Sequence, residues 1–432
     1  MKKFLSTIRE MRKFLVLWFG QSFSALGSAM TAYALVIWSY SQEGSALMTA
    51  LLMVCSYTPY VVFSIFAGTL ADRWNKKGTM LICDSVAALT TLIVLILLKT
   101  NSLSIWHIYV VNAVGGLMNT VQQPASEVAV TRLLPQKYFQ KVGGLRYLSN
   151  SINTILTPIL ATAVMGLWGM DAVICLDLAT FLFAFLTLLL FIRIPEEPEQ
   201  QMAQEHLLAS VKSGVGWLRE QTGIFYLILF LAAVNLVASM YQAAFPALML
   251  SRGGGSEQAM GIVNTVIGIS MLAGSLLASF APPPKSRVRV ICNCLLFSMC
   301  TENLMLALGR NIWVWSMGGF LGWIGIPLMN ANLDVVLRLN TPVSMQGRVY
   351  SVRNSLQFFT IPLGYLLGGV LVDYVFEPAM AAWNSPLLTA VFGSGKGSGA
   401  ALFFFVLAFL GIGVCLFFRR TRALRELEKQ GM

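Results

Sequence analysis

The sequence predicts an all-α membrane protein in which twelve transmembrane helices form two pseudo-symmetric six-helix bundles. Composition is the first reason, because 56% of the 432 residues are hydrophobic and only 11% are charged. Soluble domains have roughly 45–50% apolar and about 25% charged residues. The other two reasons are a series of long apolar runs and a repeat within the chain.

The apolar runs give the twelve predicted spans. A helix that crosses the bilayer needs roughly 20 mostly apolar residues, so runs between charged or Gly/Pro-rich breaks can be read directly. Continuous runs favour helices over barrel strands, which would be about ten residues of alternating polarity. Spans one to twelve are predicted at residues 14–39, 46–71, 79–98, 104–125, 144–168, 170–193, 222–250, 258–281, 288–308, 311–334, 349–375 and 399–418.

The basic residues predict the topology. The net charge is +11, and all but four of the 30 lysines and arginines lie on one side of the predicted spans; the exceptions are Lys99, Arg252, Arg310 and Lys396. The basic side is cytoplasmic by the positive-inside rule. We therefore expect a multi-pass protein of the cell inner membrane with both termini in the cytoplasm, and no nucleic-acid partner.

A repeat predicts the domain organisation. Residues 143–160 resemble residues 347–364, and these segments occupy spans five and eleven. An offset of six spans makes the two copies parallel. We predict an N-terminal bundle at 1–193, a cytoplasmic linker at 194–220 and a C-terminal bundle at 221–432. Apolar residues in the linker recur with helical spacing, which predicts a helix lying on the membrane surface, although a solvated linker is the alternative.

Enzyme chemistry is not indicated. The seven cysteines all fall inside spans, and the two histidines have no ligand-like neighbours. Such cysteines are typical packing residues. We expect no catalytic residues, no metal and no cofactor. A receptor would normally carry a sensing domain, so a non-transporting receptor is the less favoured alternative from another class.

The gap between spans two and three carries the family resemblance. Its sequence, "GTLADRWNKKGTM" at 68–80, resembles the loop signature of the major facilitator superfamily, except that Asn75 replaces the usual Gly. Asn enters the left-handed region readily, so we expect the tight turn to be kept. The resemblance implies a cytoplasmic gating loop, a latch that favours the outward-open state, formed by Gly68, Asp72, Arg73, Lys76 and Lys77. The alternative is a set of bases that only hold the loop inside.

Longer segments resemble one branch of that superfamily. Residues 131–151, 193–198 and 347–373 are similar to macrolide-efflux proteins and siderophore exporters among the drug:proton antiporters. The antiporter signature of span five is only partly present, because Thr157-Pro158 and Ala161-Thr162 replace Gly-Pro and Gly-Gly.

Polar stripes predict a substrate cavity. Polar residues recur at offsets of three, four and seven within spans one, four, five and seven, which keeps each set on one helix face. Such residues also join membrane helices together, which is the alternative. The cavity candidates are Gln21, Ser28, Asn112, Asn119, Gln123, Asn150, Asn153, Asn235, Gln242, Asn354 and Gln357, and the stripes also include Ser24, Thr31, Arg146, Thr157 and Ser239.

Four acids inside the spans are candidates for proton coupling. Ionisable residues within a membrane are rare and commonly functional. Asp373 is the first choice and Asp84 the second, followed by Glu302 and Asp177. Spans three, six and nine are peripheral in relatives, so Asp84, Asp177 and Glu302 are also explained as partners of neighbouring polar groups.

The expected function is export of amphipathic drug-like molecules, of macrolide or siderophore type, by alternating access. Protons are the expected driving ion, and the expected partners are a small-molecule substrate, protons and the lipid bilayer, with the protein acting as a monomer. The alternative is uptake or flipping of an anionic nutrient or lysophospholipid, which Arg146 and Arg353 would suit.

Overall fold

The computed structural model describes residues 2–134, 139–194, 216–282, 284–341, 353–383 and 385–430. Helices are the regular secondary structure throughout these residues, and no strand occurs among them. The all-α prediction is therefore confirmed.

The first five helices contain the predicted spans one to six. They are Lys2–Glu43, Ala46–Arg73, Lys76–Lys99, Ile105–Leu133 and Phe139–Phe191. The last of these holds two spans, because the chain turns at Gly169, where φ is 80° and ψ is 177°. A side chain at this φ would be strained, so glycine permits the turn between spans five and six.

The remaining helices contain spans seven to twelve and a short terminal segment. Span ten is divided at Gly325, and span eleven contains one π-helical turn at Val372–Phe376. The helices are Thr222–Ser251, Glu257–Phe280, Arg287–Leu308, Ile312–Ile324, Ile326–Asn340, Thr360–Leu371, Glu377–Ala382, Pro386–Phe392, Ser398–Arg420 and Arg422–Gln430.

Ten helices in the described part of the chain are long and apolar enough to cross a membrane. Ser149–Phe191 is counted once among them although it contains spans five and six, and Ile105–Leu133, which holds span four, is not among the ten. The chain is thus a multi-pass membrane protein. The exact count of twelve spans stays a prediction.

Side-chain caps mark several of the predicted breaks. The side chain of Asn75 accepts a hydrogen bond from the backbone N–H of Gly78 at 2.6 Å, and Ser256, Ser286 and Asn311 cap the helices that follow them in the same way. Asn75 has φ −59° and ψ 115°. The expected left-handed conformation is therefore wrong: Asn75 stands there as an N-cap, a position that favours Asn for its short acceptor side chain.

The helices form two compact units. Unit 1 comprises residues 1–39 and 55–201, and unit 2 comprises residues 40–54 and 202–432. The unit boundaries differ from the predicted bundles, since residues 40–54 at the ends of spans one and two group with unit 2. The division into bundles at 1–193 and 221–432 stays a prediction. Most of the predicted linker helix, residues 195–215, lies outside the described residues.

Unit 1 is packed by small and aliphatic residues from spans one, three, four and six. One buried cluster contains Leu17, Met80, Ala125, Ala129, Leu188 and Ile192. Its small members let the helices approach closely, as is common between membrane helices. This cluster lies toward the Lys76 end of span three, and so leaves room for polar residues further along the same helices.

Span seven is the main buried helix of unit 2. Gly364 and Gly368 of span eleven lie against its backbone, where a side chain on Gly368 would come within 2.8 Å of the Met240 carbonyl oxygen. The last helix, Arg422–Gln430, was not predicted. It packs on the beginning of span seven through Leu427, and Leu424 and Leu427 are buried.

Candidate functional site

A cavity of about 760 Å³ lies within unit 1, between spans one to six, with span two contributing only Ser56. Its wall mixes apolar groups such as Trp18, Met118 and Phe181 with polar ones. The predicted stripes of spans one, four and five meet here, through Gln21, Ser24, Ser28, Thr31, Asn112, Asn119, Gln123, Arg146, Asn150 and Asn153. Thr157 is buried and does not line the cavity.

Asp84 of span three lines this cavity and is held by two amide side chains. Gln122 donates to Oδ1 at 2.5 Å, and Gln21 donates to Oδ2 at 3.2 Å. Each carboxylate oxygen therefore has a neutral donor from a different span. Gln122 was not predicted from the sequence, because the polar stripe of span four was defined by Asn119 and Gln123. Gln122 follows Asn119 by three residues, and that helical spacing was the available signal.

Asp177 of span six is the second carboxylate in the wall. The hydroxyl of Ser28 donates to Oδ1 at 2.9 Å, and spans one and six approach closely here because Gly27 faces Asp177 and Thr180. Because spans three and six are peripheral in relatives, pairing with neighbouring polar groups was the alternative prediction for Asp84 and Asp177, and both acids do accept such hydrogen bonds. Within unit 1 both side chains also line the cavity, because the close contact at Gly27 brings span six to the wall.

A charged pair lies in another part of the wall. Arg146 of span five faces Glu127 of span four, with 3.6 Å between Nη1 and Oε1. Both side chains are partly exposed, at 40% and 55%, so the pair contributes at most about 1 kcal/mol. Arg146 therefore has a carboxylate partner. The hydrogen-bond partners described for the other two acids of the wall, Asp84 and Asp177, are neutral amide and hydroxyl groups.

The predicted residues of unit 2 are placed differently. The side-chain amide of Asn235 donates to the backbone oxygen of Gln357 at 3.2 Å, joining spans seven and eleven, while Gln242 and Asn354 are exposed. Arg353 donates to the side chain of Gln357 at 3.2 Å. Asn235 and Gln357 thus join helices in this structure, and the wall of the unit 1 cavity contains neither of them.

Glu302 is buried among spans seven, nine and ten. Its Oε1 accepts hydrogen bonds from the Tyr241 hydroxyl at 2.6 Å and from the Trp323 indole at 2.8 Å. Gly322 leaves room for the carboxyl group. These contacts connect three helices of unit 2, as expected for an acid that pairs with neighbouring polar groups.

Asp373, the first candidate for proton coupling, caps a helix. Its carboxylate accepts hydrogen bonds from the Ser45 hydroxyl at 2.6 Å and from the backbone N–H groups of Ala46 at 3.0 Å and Leu47 at 2.8 Å. These are the free N–H groups at the start of span two, where a negative charge is favourable. The π-helical turn at Val372–Phe376 contains Asp373.

A second cap, which the sequence reasoning missed, follows one turn later. Oε1 of Glu377 accepts hydrogen bonds from the N–H groups of Gly397 and Ala400, both at 3.0 Å, at the start of span twelve. The spacing of four between Asp373 and Glu377 places both acids on one helix face. That spacing was the signal in the sequence.

The predicted gating loop is only partly described. The surroundings of Gly68 and the side chains of Asp72 and Arg73 lie outside the described part of the structure. The ammonium group of Lys77 donates to the carbonyl oxygens of Leu189 and Ile192, both at 2.8 Å, and thereby caps the end of span six. Lys76 is buried and donates to the carbonyl of Trp74 at 2.9 Å.

The comparison with protein families decides the family. A sequence profile described as the Major Facilitator Superfamily matches residues 17–365. The chain belongs to the major facilitator superfamily.

Named relatives of this major facilitator protein include two efflux proteins. It is 23% identical over 367 residues to macrolide efflux protein A of Streptococcus pyogenes, a match that covers 84% of this chain and 90% of that protein. It is 21% identical to the multidrug efflux pump Tap of Mycolicibacterium fortuitum, with 83% and 89% covered. The transporter PepTSo, of the POT family, has a similar fold, with a TM-score of 0.70 at 13% identity over 98% of this chain and 99% of that one.

Proposed function

We propose that this major facilitator protein exports amphipathic, drug-sized organic molecules by alternating access, driven by the entry of protons. The observation that supports this function is the cavity of unit 1, which combines aromatic and aliphatic walls, mostly uncharged polar stripes, one Arg–Glu pair and the two further carboxylates of Asp84 and Asp177. Its volume of about 760 Å³ falls within the roughly 300–1,000 Å³ of sites for small molecules. Relatives named for macrolide and multidrug efflux support the same cargo class.

Asp84 and Asp177 replace Asp373 as the leading candidates for the proton sites. Both line the cavity, and the partners described for them there are neutral amide and hydroxyl groups. A carboxyl group with such partners can gain a proton without breaking an ion pair, and it then becomes a donor itself. Asp373 is less suited, because two backbone N–H groups and Ser45 use its oxygens as acceptors.

The experiment is transport by the purified chain in proteoliposomes with and without an imposed pH gradient. The panel contains macrolides, siderophores and simple metabolites. Uphill movement of a macrolide that depends on the gradient supports the proposal, and simultaneous pH recording shows whether protons move in the opposite direction. Movement of simple metabolites alone, or no dependence on the gradient, contradicts it.

The second candidate function is uptake or flipping of an anionic nutrient or lysophospholipid. Arg146 faces the cavity, but Glu127 stands opposite it, so the wall favours a neutral or cationic cargo over an anion. Fluorescent lysophospholipid in the same vesicles distinguishes the two functions. We further propose that the protein acts as a monomer in the cell membrane with both termini in the cytoplasm, and that the pH gradient takes the place of a cofactor.

A further inference from the structure

Four lysines and arginines lie on the side of the spans that is poor in bases, and three of these four lie on adjoining loops of unit 2. Arg252 follows span seven, Arg310 follows span nine, and Lys396 precedes span twelve. Glycines allow these loops to touch: a side chain on Gly397 would lie 2.7 Å from the Arg252 nitrogen, and one on Gly254 would lie 2.8 Å from the Arg310 carbonyl oxygen. We call these three residues the basic rim.

Arg252 forms the floor of the basic rim. It is only 6% exposed, and Nη1 donates to the carbonyl oxygens of Leu306 at 2.9 Å and Ala307 at 2.8 Å, at the end of span nine. Its Nη2 is buried with no hydrogen-bond partner. Burial, and next the charge of Arg310, lower the pKa of Arg252 to about 10. A buried cation without a counter-ion is costly, so a nearby anion would stabilise it.

Arg310 and Lys396 form the exposed part of the basic rim. Nη2 of Arg310 donates to the carbonyl oxygens of Ala390 and Val391. A guanidinium group has five N–H donors, so further donors remain for a ligand. The ammonium group of Lys396 lies 5.8 Å from the ring centroid of Tyr40.

Two partly buried acids of this region, Asp373 and Glu377, are engaged as helix caps. Glu377 accepts from the backbone of span twelve and Asp373 from the start of span two. Within the described residues, no carboxylate lies within ion-pair distance of the basic rim. The rim therefore has no ion-pair partner among the described residues.

Large apolar side chains are exposed on segments next to the basic rim in the chain. Trp313 is 81% exposed, Leu387 is 73% exposed and Trp383 is 57% exposed. Trp313 is three residues from Arg310, and Leu387 lies on the short helix whose last carbonyls Arg310 holds. Tryptophan at the end of a span is typical of the depth of lipid headgroups. Exposed apolar groups beside unpaired bases suit a lipid better than a soluble anion.

We propose that the basic rim binds the phosphate group of an anionic phospholipid at this membrane surface. The guanidinium of Arg310 and the ammonium of Lys396 contact the phosphate oxygens, while Arg252 supplies positive potential from below. The acyl chains lie along the exposed apolar side chains around Trp313 and Leu387. This site belongs to unit 2 and is independent of the cargo carried in the unit 1 cavity.

The test measures lipid binding by the full chain in detergent, by native mass spectrometry and by thermal unfolding. Phosphatidylglycerol is compared with phosphatidylcholine and with inorganic phosphate. Arg310→Gln and Lys396→Gln are made singly and together, and Lys99→Gln is the matched control, because Lys99 is the fourth exceptional base, is exposed and lies in unit 1. Arg310 and Lys396 are substituted because both are exposed, whereas replacement of the buried Arg252 would also affect folding.

The expected result is selective binding of phosphatidylglycerol to the parent chain and to Lys99→Gln. Each substitution in the rim weakens that binding roughly fivefold, as a surface base contributes about this much toward an anionic lipid. Binding that is unchanged in the double variant, or equally reduced in Lys99→Gln, overturns the proposal. Stabilisation by inorganic phosphate to the same extent as by lipid overturns the assignment to a phospholipid.

Discussion

At the scale of single residues, the surroundings of each carboxyl group decide what it can do. Asp84 has two amide donors in the wall of a cavity, Asp373 has the N–H groups of a helix start, and Glu302 has a phenol and an indole in a helix interface. All three lie in apolar runs and are alike in the sequence. Of these three, only Asp84 lines the cavity of unit 1.

We expect Asp84→Asn to abolish uphill, proton-driven transport while sparing downhill exchange. Asparagine keeps the shape of the side chain, but it replaces one acceptor oxygen by an NH2 donor and cannot exchange a proton. The measurement is accumulation of cargo in proteoliposomes with a pH gradient, beside exchange without one. Asp177→Asn should show the same separation if the two acids share the protons.

Asp171→Asn is the matched control for this prediction. Asp171 lies in unit 1 near the turn at Gly169 and does not line the cavity, so its neutralisation should leave accumulation unchanged.

Asp373→Asn should reduce stability through the loss of a helix cap, by about 1 kcal/mol. Full proton-driven accumulation by Asp84→Asn and Asp177→Asn together would remove both acids from the coupling step.

A second prediction concerns the loop at 68–80. We expect Asp72→Asn to insert and fold normally but to slow transport several-fold, because the substitution removes the latch contact that the family resemblance implies and leaves the spans untouched. Arg73→Ala should have a weaker effect, since Lys76 and Lys77 still supply positive charge. Normal transport at normal expression would reduce the loop to a topology signal.

At the scale of helices, glycine decides how closely two spans approach. Gly116 of span four faces the backbone of span two, and a side chain there would clash with the carbonyl oxygen of Ser56. The preceding Gly115 has open space instead, with no atom within 4 Å of an added Cβ. Both residues line the cavity of unit 1.

This pair of neighbours gives a direct test of the packing. We expect Gly116→Ala to lower the free energy of unfolding by about 1–3 kcal/mol through overpacking. Gly115→Ala should be neutral or stabilise the helix by up to about 1 kcal/mol, since alanine has the higher helix propensity. Thermal unfolding in detergent checks both variants. Equal stabilities would mean that spans two and four are further apart than described.

At the scale of the whole molecule, the helix ends fix a topology. Within unit 2, with each described span crossing once, the ends at Glu43, Ser251 and Leu308 belong to one surface, and the end at Arg420 belongs to the other. The second surface is the one rich in bases. We predict from the positive-inside rule that it faces the cytoplasm.

We expect cysteines introduced at the exposed positions Glu43 and Gly395 to be labelled from outside intact cells. Cysteines at Trp74 and Arg425, exposed on the other surface, should be labelled only after the membrane is made permeable. A membrane-impermeant maleimide is the reagent, used on a background in which the seven native cysteines are replaced. Labelling at Trp74 in intact cells would show that the orientation is the opposite of the one predicted.

Most of the fold follows from local properties of the sequence. Each predicted span lies on a helix as far as the structure describes it, because long apolar runs must satisfy their backbone hydrogen bonds internally in lipid. The family also follows from a local pattern, the loop at 68–80. The helical periodicity likewise placed the polar stripes of spans one, four and five on the faces that meet in unit 1.

The roles of the charged residues depend on contacts between residues distant in the sequence, and only the tertiary structure decides them. Asp84 joins the cavity because Gln21 and Gln122 reach it from other spans, and Asp373 is a cap because the start of span two lies beside it. The sequence determined that some acids lie within apolar spans and that most bases lie on one side of the spans. The packing of the helices decides which acid lies in a cavity, which acid caps a helix and which bases form the basic rim. Periodicity in the sequence fixes which face a residue occupies on its helix, but not which helix packs against that face.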